Sequence, residues 1–150
     1  MTKILFVCHG NICRSPMAHF IFQHMVNTAG RSHEFYIDSA ATSTEELGCG
    51  IYPPARRKLG EEGIPLVPHT AVQITRGDYD KYDMIFGMDS ANIRNIHRIC
   101  GGDPQGKVKR LLELTQRPGD VADPWYTGNF DAAYRNIREG CEALMKLFTP

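Results

Sequence analysis

Apolar residues follow two rhythms along the chain. Lys3 to Val7 reads KILFV, nearly continuous, as in a strand buried on both faces. From Met17 the spacing changes: Met17, Phe20, Ile21, Met25 and Val26 form one helical stripe. Ser15 is its expected N-cap, Pro16 fits its first turn and Gly30 stops it. Phe35 to Ala41 is a second strand. Pro53 and Pro54 open a second helix through Leu59 that ends by Gly63. Thr75 with Asp78 caps a short turn, and Met84 to Met88 (MIFGM) is a third buried strand, weakened by Gly87. Asp89 or Ser90 caps a helix carrying Ile93, Ile96, His97 and Cys100, stopped by Gly101 and Gly102. Val108 to Leu112 reads as a fourth strand despite its charges, and Gln116 to Gly128 as a long loop. Phe130, Ala133, Tyr134, Ile137, Cys141, Leu144 and Met145 mark a last helix, in which Gly140 is unfavourable by about 1 kcal/mol. Strands alternating with helices predict an α/β fold whose parallel sheet is covered on both faces.

Composition adds bounds. The 150 residues, 42% hydrophobic and 23% charged, suit one globular domain. A net charge of +0 gives no support for a nucleic-acid or membrane-surface partner, since both favour a basic face. No stretch approaches the roughly 18 apolar residues of a membrane span, and the start of the chain lacks a signal-peptide pattern. The cytoplasm is the expected location. Cys8, Cys13, Cys49, Cys100 and Cys141 are odd in number and irregularly spaced, unlike a secreted disulfide framework. Cys49, Cys100 and Cys141 are expected to be packing residues, and His19 and His24 carry no assigned role.

In a parallel α/β sheet, ligands bind beyond the carboxyl ends of strands and near helix N-termini. At that place, after the first strand, the chain reads VCHGNICRSP. Successive N–H groups in such a turn form an anion nest, and Gly10 and Asn11 are residue types that tolerate left-handed backbone. Arg14 offers a fork to two phosphate oxygens. The nest, the arginine and the helix start also favour a Cys8 thiolate, a nucleophile beneath a bound phosphoryl group. Zinc on Cys8, His9 and Cys13 lacks a second ligand pair. Neither G-x-x-x-x-G-K-[ST] nor G-x-G-x-x-G occurs. Cleavage of a phosphate ester also needs a proton donor for the departing oxygen. Asp123, in ADPWY, is the best candidate; Pro124 stiffens the loop, and Trp125 and Tyr126 are placed to cover an aromatic substrate.

VCHGNICRSPMA followed far downstream by ADPW resembles the low-molecular-weight protein tyrosine phosphatases. The resemblance spans essentially the whole chain and includes DSAATS, HTAVQIT and the MD that ends the third strand. It implies a doubly wound, four-stranded parallel sheet flanked by helices, with the phosphate-binding loop after the first strand. It implies metal-independent hydrolysis of phosphotyrosine in proteins, or of small aryl phosphates, without a cofactor. Cys8 would form a phosphocysteine, Arg14 and the loop amides would stabilise the phosphoryl group, and Asp123 would serve as acid and then base. Ser15 would hydrogen-bond the Cys8 sulfur, and Asn11 would fix the loop through Ser39 and His69. Cys13 would be placed to form a reversible disulfide with Cys8. Asp89 either joins this network or caps its helix.

The slot for the phenyl ring is expected between His9, Ile12, the segment after Ser43, and Trp125 with Tyr126. Relatives often carry tryptophan at the place of Glu45 and an aliphatic residue at that of His9, so the slot departs from the family pattern. Glu45 and Glu46 are expected to disfavour acidic peptides by about 0.3–1 kcal/mol per exposed contact. Arsenate reductases resemble the loop but need further cysteines near the third strand, where residues 78 to 92 have none. Protein arginine phosphatases carry threonine at the place of Ile12, whose side chain favours an apolar ring over a guanidinium. A non-catalytic phosphate-binding module remains the alternative from another class.

Overall fold

The structure, a computed structural model, describes residues 1–149. Four strands, β1 (Thr2–Cys8), β2 (Phe35–Ala41), β3 (Met84–Gly87) and β4 (Val108–Arg110), form one sheet in the order β2-β1-β3-β4. Every neighbouring pair is parallel. Among the described residues six helices accompany them: α1 (Arg14–Thr28), α2 (Pro53–Glu61), α3 (Arg76–Lys81), α4 (Ser90–Cys100), α5 (Pro124–Thr127) and α6 (Phe130–Lys146). None is long and apolar enough to cross a membrane, among the described residues.

The pleat of β1 divides the core. Ile4, Phe6 and Cys8 point to the face covered by α1, α2 and α6, whereas Leu5 and Val7 point to the face covered by α3 and α4. Phe6 stacks on Phe86 at 6.0 Å and meets the edge of Phe22 at 6.2 Å. Because β1 lies inside the sheet, its carboxyl end opens where the chain turns to opposite sides, the usual crevice of such folds.

Two glycines that local propensity disfavours are explained by close approach. A Cβ on Gly87 would lie 2.9 Å from Ile93 Cδ1 and 3.1 Å from Asn92 Cβ, so α4 can sit tight against β3. A Cβ on Gly140 would lie 2.5 Å from Leu111 Cγ. The helical penalty there is offset by the contact of α6 with a 3₁₀ turn, Leu111–Leu114.

Several expected boundaries move. The fourth strand stops at Arg110, and the chain winds into that 3₁₀ turn, burying Leu111 and Leu112. The Thr75–Asp78 signal is a full capping box, and the turn it opens is the helix α3. The loop from Gln116 to Gly128 contains α5, capped by Asp123. Ser15 is not the cap of α1: the helix begins at Arg14, its N-cap position is Cys13, and no side chain caps it. The Ser15 hydroxyl is engaged elsewhere.

Candidate active site

The chain leaves β1 at Cys8 and is at once tied to the strand beside it. The N–H groups of Thr42 and Ser43 donate to the carbonyls of Cys8 and His9, at 2.9 and 3.0 Å. Asn11 then takes φ 59°, the left-handed conformation; asparagine tolerates it because its short side chain bonds locally. Gly10 does not adopt a positive φ, so the reversal of the chain falls on Asn11 alone.

Asn11 is fully buried, and each of its polar groups has a partner. Its Nδ2 donates to Ser15 Oγ at 2.8 Å and to Ser39 Oγ at 2.9 Å. Its Oδ1 accepts from the Val72 N–H at 3.2 Å, and its carbonyl accepts from His69 Nε2 at 2.7 Å, so that ring nitrogen carries the proton. Its N–H donates to Cys8 Sγ at 3.3 Å. Ser15 Oγ lies 3.0 Å from the same sulfur and 3.5 Å from the Ala40 carbonyl. One lone pair of Ser15 is occupied by Asn11, and its O–H faces the sulfur and the Ala40 carbonyl.

Arg14 begins α1 and is buried. Its Nη1 donates to Asp89 Oδ2 at 2.7 Å and to the Val121 carbonyl at 2.9 Å; its Nη2 donates to Asp123 Oδ2 at 3.3 Å. Burial opposes its charge, but the Cys8 sulfur, Asp89 and Asp123 outweigh that and hold the guanidinium above its ordinary pKa. Asp89 has both of the roles left open for it: one oxygen holds Arg14, and the other caps α4 through the Asn92 N–H at 2.8 Å. Burial, then the proximity of Cys8 and Asp123, pushes the Cys13 thiol up to about 12, so it stays protonated at neutral pH.

A cleft opens over this floor. Cys8, Gly10, Ile12, Cys13 and Arg14 line its base, and His9, Glu45, Glu46, Asp123, Trp125 and Tyr126 its walls. His9 Nε2 meets Glu45 Oε2 at 2.9 Å, and both side chains are largely exposed. Trp125 is half-exposed and leans on Tyr52, ring centroids 4.8 Å apart; Tyr126 is exposed. Asp123 Oδ1 accepts the Trp125 N–H at 3.0 Å. Ser39 and His69 lie beneath the loop and outside the cleft lining. Cys100 and Cys141 are buried, but Cys49 is exposed beside Glu46 rather than packed inside; its backbone carbonyl is tied to the Ala71 N–H at 2.8 Å, and its side chain is left outward.

Sequence reasoning missed the Val121 carbonyl, a backbone group with no residue-type signal. It also missed Tyr52, whose N–H donates to the Ile12 carbonyl at 2.8 Å; its place just before Pro53-Pro54 marked a helix start and nothing more. His19, left without a role, is buried in α1, and its Nδ1 has no hydrogen-bond partner among the described residues. Burial foremost lowers its pKa to about 4, against an opposing effect of Asp38 and with a smaller lowering effect of His69.

The family profile described as "Low molecular weight phosphotyrosine protein phosphatase" matches residues 3–149. The low molecular weight protein-tyrosine-phosphatase YfkJ of Bacillus subtilis is 37% identical over 147 residues, covering 97% of this chain and 94% of its own. The human low molecular weight phosphotyrosine protein phosphatase is 35% identical, with 96% and 94% covered. Among solved structures, YfkJ superposes with a TM-score of 0.95 at 36% identity, over 99% of this chain and 94% of that one. DARP, a Drosophila arginine phosphatase, superposes with a TM-score of 0.91 at 29% identity, over 99% of both chains. With a full-length profile match and relatives above one-third identity, the chain belongs to the low molecular weight phosphotyrosine protein phosphatase family.

Proposed function

We propose that this phosphatase hydrolyses phosphotyrosine, in proteins or as small aryl phosphates, through a phosphocysteine on Cys8, and that residues 1–150 act as one catalytic domain. The deprotonated Cys8 Sγ attacks phosphorus; the P–O bond to the phenolic oxygen breaks, and Asp123 gives that oxygen its proton. Asp123 then removes a proton from water, which attacks the phosphocysteine and releases inorganic phosphate and the Cys8 thiolate. Arg14 and the inward loop amides bear the charge of the transferring group, so the reading needs no metal or cofactor. The observation that carries it is the Cys8 sulfur receiving an N–H from Asn11 and lying 3.0 Å from Ser15 Oγ on a cleft floor that also holds Arg14, with Asp123 on the wall.

His9, Glu45, Trp125 and Tyr126 frame the substrate slot in this reading, and cytoplasmic phosphotyrosine proteins are its natural partners. The Drosophila neighbour keeps phosphoarginine as a second reading; Ile12 on the cleft lining favours the phenyl ring instead. Turnover of phosphotyrosine, phosphoarginine and arsenate on one preparation, in the presence of chelator, separates these activities. Acid quench during aryl phosphate turnover is expected to trap phosphate on Cys8, and Cys8→Ser to abolish both adduct and turnover. Turnover without an adduct, or a fully active Cys8→Ser protein, would overturn the mechanism.

A further inference from the structure

The loop that carries Asp123 is long, rich in turn residues and sparsely tied. Among the described residues, the side chain of Asp120 is its one hydrogen-bonded anchor between Thr115 and Val121 that reaches another element. Asp120 Oδ1 accepts from the Ser90 N–H at 3.0 Å, from Ser90 Oγ at 3.1 Å and from Arg110 Nη1 at 3.0 Å. Arg110 is itself braced by Glu113, whose Oε2 accepts the Arg110 N–H at 2.6 Å. Burial opposes the charge on Asp120, but Arg110 and Ser90 prevail and keep its carboxyl below the usual range.

The anchor stands next to catalytic parts on both sides. Val121 follows Asp120 directly; its N–H donates to the Met88 carbonyl at 2.8 Å, and its own carbonyl receives Arg14. Ser90 follows Asp89 directly, and Asp89 also holds Arg14. The start of α4 therefore mounts the phosphate-binding arginine through one residue and the acid loop through the next. A side chain placed only to stabilise a surface turn would not need to share that mount.

We infer that Asp120, gripped by Ser90 and Arg110, is a positioning residue that sets Asp123 at the height from which it can protonate the leaving oxygen. The inference rests on Asp123 being the general acid. Small displacements of an acid lower its transfer rate steeply, while the nucleophile below keeps its geometry.

The test is the dependence of rate on the leaving group. Dinitrophenolate departs as a stable anion and needs no proton, whereas phenolate needs one. In Asp120→Ala, kcat/KM for phenyl phosphate is expected to fall about 10-fold and for 2,4-dinitrophenyl phosphate by less than about 2-fold. Arg110→Gln should give the same pattern, weaker. Both substrates are assayed on one preparation, so any unfolded fraction cancels in the ratio. Equal losses on the two substrates, or none, in Asp120→Ala overturn the inference. Asp123→Asn is the control and should show the largest selective loss. If it shows no selectivity, the acid assignment fails and the role of Asp120 fails with it; selectivity in Asp123→Asn alone defeats only Asp120.

Discussion

The loop from Cys8 to Ser15, proposed to hold phosphate, and the loop that bears Asp123, the proposed acid, both line the cleft and are built in opposite ways. In the first, Cys8, Asn11, Arg14 and Ser15 are buried, and Asn11 alone makes five contacts with side chains or backbone. In the second, Trp125 is half-exposed, Tyr126 is 82% exposed, and the hold comes from Asp120 and Val121. Cradling a dianion takes several donors fixed together, because each misplaced donor loses its share of the charge stabilisation. Passing a proton takes one correctly placed group, and a wall through which substrate enters must stay open to solvent. The rigid half is costly to alter anywhere; the open half is sensitive at only a few points.

Mutations can break that contrast. Asp123→Asn is expected to lower kcat/KM for phosphotyrosine about 10²–10⁴-fold, about 3–5 kcal/mol of barrier, with little change in thermal unfolding. A drop in unfolding temperature matching the loss of rate would show that the acid loop is as structural as its counterpart. Asn11→Ala should do the reverse of a clean kinetic lesion. It forces a left-handed alanine, at about 1–2 kcal/mol, and strands the partners on Ser39, Ser15 and Val72. We expect about 3–4 kcal/mol of lost stability by denaturant titration together with lost phosphate binding. Unchanged stability would mean the loop is held by its backbone contacts alone.

The third prediction concerns acid, and sharpens the contrast by loosening only the buried half. His19, buried in α1, has its pKa lowered from 6.5 to about 4, foremost by burial, with Asp38 opposing and His69 adding a smaller effect. Below pH 6.5 the unfolded chain takes up a proton that the folded chain refuses. Stability that is complete above pH 6.5 is therefore lost as pH falls toward 4, by about 3 kcal/mol. His19→Gln should flatten that part of the stability profile; an unaltered slope would place the acid sensitivity elsewhere.

The two loops also differed in how far the sequence revealed them. The loop from Cys8 to Ser15 is contiguous, so its residues could be read together as one candidate site from their place after a buried strand and before a Ser-Pro pair, and the alternation of strands and helices announced the sheet that carries it. Local signals misled where one residue had two possible uses. Ser15 before Pro16 reads as a cap, yet its hydroxyl is claimed by the Cys8 sulfur. Gly10 invites a reversal that Asn11 makes. What stayed hidden depends on distant parts of the chain meeting: Asp120 with Ser90 and Arg110, His19 with Asp38 and His69, Tyr52 behind Trp125. The penalties of Gly87 and Gly140 could be read in advance, but the neighbours that explain them could not.

The bare Cα at position 140 reaches further than its own helix. Leu111 fills the space a side chain would take there, and the turn it begins leads straight into the segment that bears the acid. Drift at either place would have to be matched at the other, so the two positions should change together as lineages diverge, though neither ever meets a substrate.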